Sequence, residues 1–343
     1  MRRRNFLKLA AGSLFLDPWK ARAEHYVLSA DPWIIEFELR SLKGRDTSIE
    51  DFYVRNHFAA PQVSGERILR IEGEVESVQE VTEARLRQVP QHELGAVLEC
   101  AGDLVRTNAL VSNGAWRGWW LEDVLELARP TARGRFLHLY GADGYARSVP
   151  AERVKKGSAL LATGLNGRPL TRNHGMPWRA FFPGWYGMDS VKWLQRVVVS
   201  ANPLPDDTKD YLEAWRQPSG EIIRRPLPCV QVKSLITAPA EGSVLPRGRT
   251  RMSGVAWSGA AQIASVEVSD SISHQWRPAT LNPGGRYEWT LWDASLEVAR
   301  PGPVELICRA KDATGAIQPE RRDARRIDYY TANWYHRVKC VVS

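Results

Sequence analysis

The chain has 343 residues, of which 43% are hydrophobic and 25% charged, enough for a large core and two domains. Residues 1–23 hold +5 of the formal net charge of +8, which leaves +3 for the rest. A nucleic-acid partner is therefore not expected. Beyond residues 1–23 no run approaches the roughly 18 apolar residues of a membrane-spanning helix, so no stable membrane insertion is expected either.

Residues 1–23 have the order of parts of a secretory signal. An arginine-rich start is followed by a short, weakly apolar stretch over 7–16 and a small-x-small site at 21–23. Residues 3–8, RRNFLK, resemble the twin-arginine signal, which exports proteins already folded. This predicts a periplasmic protein and favours a cofactor inserted before export. A disordered basic tail is the alternative.

Residues 24–225 show strand and helix patterns in mixed order. RILRIEGEV alternates as a strand does, TEARLRQVP indicates a short helix, and AVLEC is a strand that ends on a cysteine. GWWLEDVLELA has helical spacing, and GRFLHLYGADGYARSVP indicates a hairpin around its Asp-Gly pair. Because regular βαβ alternation is missing, we expect an α+β domain with a mixed sheet over 24–225.

The composition changes after about residue 226. Short β-rich runs, among them VQVKSLITAP, RMSGVAWSG, IASVEVSD and PVELICRAKDATG, are separated by Gly, Pro, Asp and Ser. This pattern of short strands and turns is typical of an immunoglobulin-like β-sandwich, which we predict for 226–343.

The four cysteines form no CxxC, CxxCH or zinc pattern. Cys308 and Cys340 lie in predicted strands and could pair in an oxidising compartment. A buried free thiol is an equal alternative for each.

Cys100 stands at a predicted strand end and is followed at once by Ala-Gly. As a nucleophile it would need a histidine base, and the chain has seven histidines. As a metal ligand it would need an open turn and nearby cations, which the segments 55–57 and 174–179 and Lys192 offer. The alternatives are buried histidines and ordinary surface cations, so the residues alone leave the choice open.

Five segments together resemble the sulfite oxidase family of molybdenum enzymes, in the family's order along the chain. They are FYVRNHFAAP, LECAG, NHGMPWRAFFPGWYGMDSVKWL, VAWSGAAQIASVEVS and NWYHRV. The resemblance extends over nearly all of residues 31–343. It implies a sulfite-oxidase-type molybdopterin-binding domain followed by a dimerisation domain.

The resemblance implies that Cys100 is the protein thiolate ligand of molybdenum, beside the dithiolene of a pyranopterin. The residues implied to bind this cofactor are Tyr53, Val54, Arg55, Asn56, His57, Cys100, Asp143, Ser148, His174, Arg179, Ser190, Val191 and Lys192. Arginine, lysine and backbone N–H groups are also the groups that phosphate prefers.

The resemblance implies oxidation of sulfite to sulfate by oxygen-atom transfer, with a substrate site of arginines and a tyrosine. The residues implied there are Arg55, Arg106, Tyr211 and Arg337, with Cys100. The alternatives are another sulfur compound, including one carried on a partner protein, nitrate, or a noncatalytic exported binding protein.

Three positions depart from the family's usual residues. Asp103 stands in an asparagine position, Asp189 where some members have arginine, and Tyr335 where tryptophan is common. The arginine after Cys-Ala-Gly also comes one residue late. These departures concern the choice of substrate more than the cofactor.

The electrons released by substrate oxidation must pass to another molecule if the chain has no haem. Neither CxxCH nor spare length for a haem domain is present, so no haem is expected in this chain. We expect a c-type cytochrome as acceptor, and a homodimer or a heteromer with a cytochrome subunit.

Overall fold

The computed structural model describes residues 25–42, 44–62, 67–102, 110–155, 157–205 and 210–343. The signal expected over 1–23 and the substrate role expected for Arg106 lie outside the described residues. The described part of the chain is mostly β-strand.

Fifteen strands precede residue 227 in the described ranges. They are β1 His25–Ala30, β2 Trp33–Phe37, β3 Val54–Arg55, β4 Ile68–Gly73, β5 Gln79–Thr82, β6 His92–Glu99, β7 Val111–Trp120, β8 Phe136–Gly141, β9 Ala146–Pro150, β10 Leu160–Leu165, β11 Arg168–Pro169, β12 Arg179–Phe181, β13 Leu194–Ser200, β14 Leu212–Arg216 and β15 Ile222–Pro226.

Helices are few and short. Over the described residues the α-helices are α1 Glu83–Leu86 and α2 Leu121–Glu126, and the 3₁₀ turns are Leu39–Ser41, Ala151–Arg153, Arg172–His174 and Gly187–Asp189. Both α-helices confirm the helical segments predicted from the sequence. The α+β label is not confirmed, because so little helix accompanies the sheets.

The strands before residue 227 form three sheets and a hairpin. One sheet has the order β1-β2-β3, the second β11-β10-β7-β6 with β12 beside β10, and the third β5-β4-β13-β8-β9. In the third sheet β13 runs parallel to β4 and antiparallel to β8. The predicted hairpin around Asp143 and Gly144 is present as β8 and β9, and β14 and β15 form the separate hairpin.

Local chemistry explains the short helices. The Thr82 hydroxyl accepts a hydrogen bond from the Arg85 N–H at 3.4 Å and caps α1. On α2, Leu121, Val124 and Leu125 are buried in the core beside β4, β8 and β13. The helix was predicted from the spacing of Trp120, Val124, Leu125 and Ala128, of which Trp120 is the N-cap residue.

Nine strands follow residue 226. They are β16 Lys233–Ala238, β17 Val244–Leu245, β18 Gly248–Trp257, β19 Ile263–Asp270, β20 Arg277–Pro278, β21 Thr280–Asn282, β22 Thr290–Val298, β23 Gly302–Asp312 and β24 His336–Val342. They form one sheet in the order β16-β18-β22-β21 and another in the order β17-β24-β23-β19-β20.

These two C-terminal sheets bury one apolar core between them. Alternation along β24 decides which residues enter it: Val338 and Cys340 are buried, whereas Arg337 and Lys339 are exposed. The sheets therefore form a sandwich, and its immunoglobulin-like assignment stays a prediction. Cys308 and Cys340 are both buried and are not joined to each other.

A further core cluster joins the two regions of the chain. Val97, Ala101 and Tyr186 from the first region pack there with Leu235 and Trp257 from the second. The strand that ends at Cys100 is therefore supported from the C-terminal sheets. In the described residues no helix has the length and apolar character needed to cross a membrane.

Candidate active site

Cys100 lies on a cavity of about 480 Å³ lined by residues in or next to the strands of all three sheets of the first region and by residues of the C-terminal tail. Its lining includes Tyr53, Arg55, Asn56, His57, Cys100, Gly102, Asp143, Tyr145, Arg179, Ser190, Val191, Lys192, Trp193, Asp210, Tyr211, Tyr329 and Tyr330. Segments far apart in the sequence therefore meet at one place.

The turn after β6 presents Cys100 to this cavity. The Cys100 N–H donates to the Leu110 carbonyl at 2.9 Å, so the residue continues the pairing of β6 beyond the strand end. A Cβ on Gly102 would lie 3.9 Å from the Cys100 Sγ. The small Ala-Gly turn thus leaves room beside the sulfur for a bulky group.

Lys192 ties the segment around Arg55 to the opposite wall. Its Nζ donates to Asn56 Oδ1 at 2.5 Å, to the Asn173 carbonyl at 2.6 Å and to the Arg55 carbonyl at 3.3 Å. Burial, together with the nearby Arg179 guanidinium, lowers the pKa of Lys192 well below its ordinary value. Lys192 and Arg179 therefore lie close enough on this wall for their positive charges to repel each other.

Arg179 is 2% exposed and forms the floor of the cavity. Its guanidinium donates to the Ser190 carbonyl at 2.9 Å and to the His174 carbonyl at 3.3 Å. Burial lowers its pKa to about 10. Its Nε and the Nδ2 of Asn56 are buried without a hydrogen-bond partner among the described residues. These two donors are available to an acceptor group bound in the cavity.

His174 lies behind this floor. Its Nδ1 is 2.7 Å from the Thr171 hydroxyl and its Nε2 is 3.3 Å from the Phe52 carbonyl. Burial, reinforced by Lys192 and Arg179, lowers the pKa of His174 to about 3, so the ring is neutral near pH 7. His174 therefore supports the cavity wall as a neutral group.

Tyr211 lies on the other side of the cavity. Its hydroxyl is 3.3 Å from Nδ1 of His57, and the Arg147 guanidinium carbon lies 5.6 Å from its ring centroid. Burial, with the Cys100 thiol, raises the pKa of Tyr211 to about 12. The phenol is thus protonated at neutral pH and can donate a hydrogen bond into the cavity.

Behind Tyr211 a buried carboxylate holds two arginines. Asp189 is 1% exposed, and its two oxygens accept from Arg147 Nε and Arg153 Nη1, each at 2.8 Å. Arg153 also stacks on Trp185, with its guanidinium carbon 3.3 Å from the ring centroid. This cluster fixes Arg147 beneath the Tyr211 ring.

Comparison with known proteins places this cavity in a family. The family model described as "Oxidoreductase molybdopterin binding domain" matches residues 57–207, and the one described as "Mo-co oxidoreductase dimerisation domain" matches 225–343. Sulfite oxidase of Gallus gallus is 31% identical over 316 residues, 80% of this chain and 68% of that protein. The chain belongs to the sulfite oxidase family.

Two further proteins are similar to this chain over most of its length. Mitochondrial sulfite oxidase of Drosophila melanogaster is 29% identical over 85% of this chain, which spans 59% of that protein. The solved structure of the sulfane dehydrogenase SoxCD from Paracoccus pantotrophus superposes with a TM-score of 0.83 at 24% identity, over 96% of this chain and 92% of that one. Membership confirms the predicted enzyme class, a molybdopterin oxidoreductase.

The cavity has the chemistry that a molybdopterin cofactor of this family requires. The soft thiol of Cys100 suits molybdenum, while Arg179 and Lys192 suit an anionic pterin phosphate. The buried, unpartnered N–H groups of Asn56 and Arg179 point to a hydrogen-bond acceptor there. Within the described residues no cluster of three His, Cys, Asp or Glu side chains could hold a metal ion.

Most of the predicted cofactor residues meet in the cavity. Tyr53, Arg55, Asn56, His57, Cys100, Asp143, Arg179, Ser190, Val191 and Lys192 line it. Val54 and His174 are buried next to lining residues. Ser148 is buried on β9 and lies outside the lining. The role of each residue stays a prediction.

The placement predicted for Arg337 is wrong. It lies on β24 opposite Ile307, and strand alternation turns it to the outer face. Its guanidinium nitrogens lie 3.8 Å from a Glu305 oxygen and 3.5 Å from a Glu320 oxygen. It borders a different cavity, of about 1010 Å³, that does not include Cys100.

The C-terminal tail does reach the cavity, but with tyrosines. Tyr330 contacts both Tyr211 and Tyr329 with tilted rings, at centroid distances of 5.4 Å and 4.3 Å. Tyr329 is 63% exposed, so the row runs from the cavity to the surface. Neither tyrosine was among the predicted site residues, although the two stand side by side shortly before Arg337 in the sequence.

Proposed function

We propose that this chain oxidises sulfite to sulfate at a molybdenum centre held by Cys100. Water supplies the added oxygen, and two protons and two electrons leave for each sulfite oxidised. The molybdenum cofactor, when bound, supplies the oxygen-atom transfer. The observation that carries the proposal is that Cys100 and Arg55 line the same cavity.

The residues around Cys100 have distinct parts in this proposal. Arg55 attracts a small dianion and strengthens its capture by its charge, while Lys192 faces the phosphate of the cofactor. Tyr211 is protonated and donates a hydrogen bond to a substrate oxygen, while His57 orients the tyrosine hydroxyl. Arg179 and Asn56 hold the polar part of the cofactor.

A second candidate is a sulfur compound with less negative charge, including one attached to a partner protein. Asp143 and Asp210 also line the cavity, and their carboxylates oppose a dianion. The rim is formed by the exposed Tyr329, which suits a larger molecule approaching the opening. The likeness to SoxCD, solved as a sulfane dehydrogenase, is in keeping with this candidate.

A steady-state panel of sulfite, thiosulfate and nitrate tests the choice, with Arg55→Met beside Arg337→Met as a matched control. A charge-assisted contact is worth about 1.5–3 kcal/mol, so Arg55→Met should lower kcat/KM for sulfite by about 10- to 100-fold. Arg337→Met should keep the wild-type value, because Arg337 lies outside the cavity. Turnover of thiosulfate or nitrate, but not of sulfite, would contradict the assignment to sulfite.

The proposal includes export to the periplasm, an external c-type cytochrome as electron acceptor, and a dimer or a heteromer with that cytochrome. The paired arginines of residues 3 and 4 and the matched dimerisation domain support these parts. Replacing both arginines by lysine should keep the enzyme in the cytoplasm. Unchanged activity in the periplasmic fraction would show that another export route operates.

A further inference from the structure

Both chain neighbours of Cys100 are held by residues of the C-terminal region. The Glu99 carboxylate accepts from Lys233 Nζ at 3.1 Å and from Trp257 Nε1 at 2.8 Å. The Ala101 carbonyl accepts from the Thr331 N–H at 2.8 Å. The strand end that presents the sulfur is therefore fixed on both sides.

The contact through Glu99 is a rigid one. Glu99, Lys233 and Trp257 are each 2% exposed. Lys233 and Trp257 are directly opposite each other on β16 and β18, which places both donors on the same carboxylate. Because both partners stand on paired strands, neither can follow the carboxylate if it moves.

We infer that Lys233 and Trp257 are positioning residues that act through Glu99 on the Cys100 thiolate. This inference rests on the proposed function of Cys100 as the metal ligand. Partners that hold a metal ligand from behind commonly set its orientation, and their loss costs about 10- to 100-fold in metal affinity or activity. Here the partners come from the C-terminal sheets.

The charges of Glu99 and Lys233 compensate each other in this buried position. The Glu99 carboxylate is balanced by the Lys233 ammonium, so the pair adds no net charge behind the strand end. A carboxylate without its lysine would be a buried anion with no positive charge to compensate it, which is strongly unfavourable. Lys233 therefore makes it possible for a charged carboxylate, that of Glu99, to be buried here and to accept the hydrogen bond from Trp257.

The test compares Trp257→Phe with Trp292→Phe in the holoenzyme. Trp257→Phe replaces the indole by a smaller aromatic ring and removes the N–H that donates to Glu99. Trp292 is 1% exposed on β22, and its N–H has no hydrogen-bond partner within the described residues. The control therefore removes a buried indole N–H that donates to none of the described residues. Molybdenum content, the Mo(V) electron paramagnetic resonance spectrum and kcat with sulfite are measured for each.

We expect Trp257→Phe to retain molybdenum, to change the Mo(V) spectrum and to lower kcat by about 10- to 100-fold. Trp292→Phe should keep the wild-type spectrum and kcat. A Trp257→Phe enzyme with the spectrum and kcat of Trp292→Phe overturns the inference. If Trp257→Phe does not fold, the double variant Glu99→Gln/Lys233→Met decides: an unchanged spectrum overturns the inference, and a changed one supports it.

The same measurements separate this inference from the proposed function. Wild-type protein without molybdenum overturns both. Wild-type protein that contains molybdenum and oxidises sulfite, with Trp257→Phe unchanged, overturns the positioning role alone.

Discussion

Replacing Asp189 by asparagine should strongly destabilise the protein. Asp189 is 1% exposed and accepts from Arg147 and Arg153, each at 2.8 Å. Asparagine is nearly the same size, but its amide offers one acceptor oxygen and turns an NH₂ group towards the second arginine. The two guanidiniums then lose the buried negative charge between them. Removing one partner of a buried ion pair costs about 3–5 kcal/mol, which is the loss expected here.

The free energy of unfolding from urea titration is the appropriate measurement for Asp189→Asn, with Asp323→Asn as control. Asp323 pairs with Arg325 on the surface, with side chains 36% and 64% exposed, so its replacement should cause no measurable change. A loss below about 1 kcal/mol for Asp189→Asn would refute the reasoning, because that is the value of an exposed pair.

Two further predictions concern pH and backbone geometry. Burial and Lys233 lower the pKa of His336 to about 4, so stability present above pH 6.5 should be lost as pH falls towards 4, by about 1.4 kcal/mol per unit. In His336→Gln one proton fewer should be taken up on unfolding between pH 4 and 6.5, so the unfolding free energy should depend less steeply on pH. A slope equal to that of the wild-type protein would contradict this. Gly175→Ala should cost about 1–3 kcal/mol, because φ is +104° and a Cβ would lie 3.1 Å from Lys192 Cβ. Gly167→Ala is the control, because φ is +72° there and the added Cβ would meet no atom within 4 Å, so it measures the cost of the backbone conformation alone. An equal loss of unfolding free energy in urea for both variants would show that the contact with Lys192 contributes nothing.

Elements with strong local signals were predictable from the sequence. The Asp-Gly turn between β8 and β9, the buried face of α2 and the strand that ends at Cys100 each follow from a few neighbouring residues. The meeting of Cys100, Arg55 and Lys192 is different, because it depends on sheets that join segments far apart in the chain. Only the resemblance of whole segments to a family anticipated it.

Two features of the site could not be predicted from motifs or from local sequence patterns. A motif match assigned Arg337 to the substrate, but the alternation of β24 turns that residue outward, while the preceding tail places Tyr329 and Tyr330 on the cavity. Asp189 was visible only as a departure from the family's usual residue. That it holds Arg147 and Arg153 in the core depends on packing that no local pattern reveals.

The molybdenum content of the purified chain, produced in a host with intact cofactor synthesis, tests the central claim most directly. The cavity at Cys100, with its buried donors on Asn56 and Arg179, predicts stoichiometric molybdenum in the wild-type protein. Folded wild-type protein without molybdenum would contradict the account.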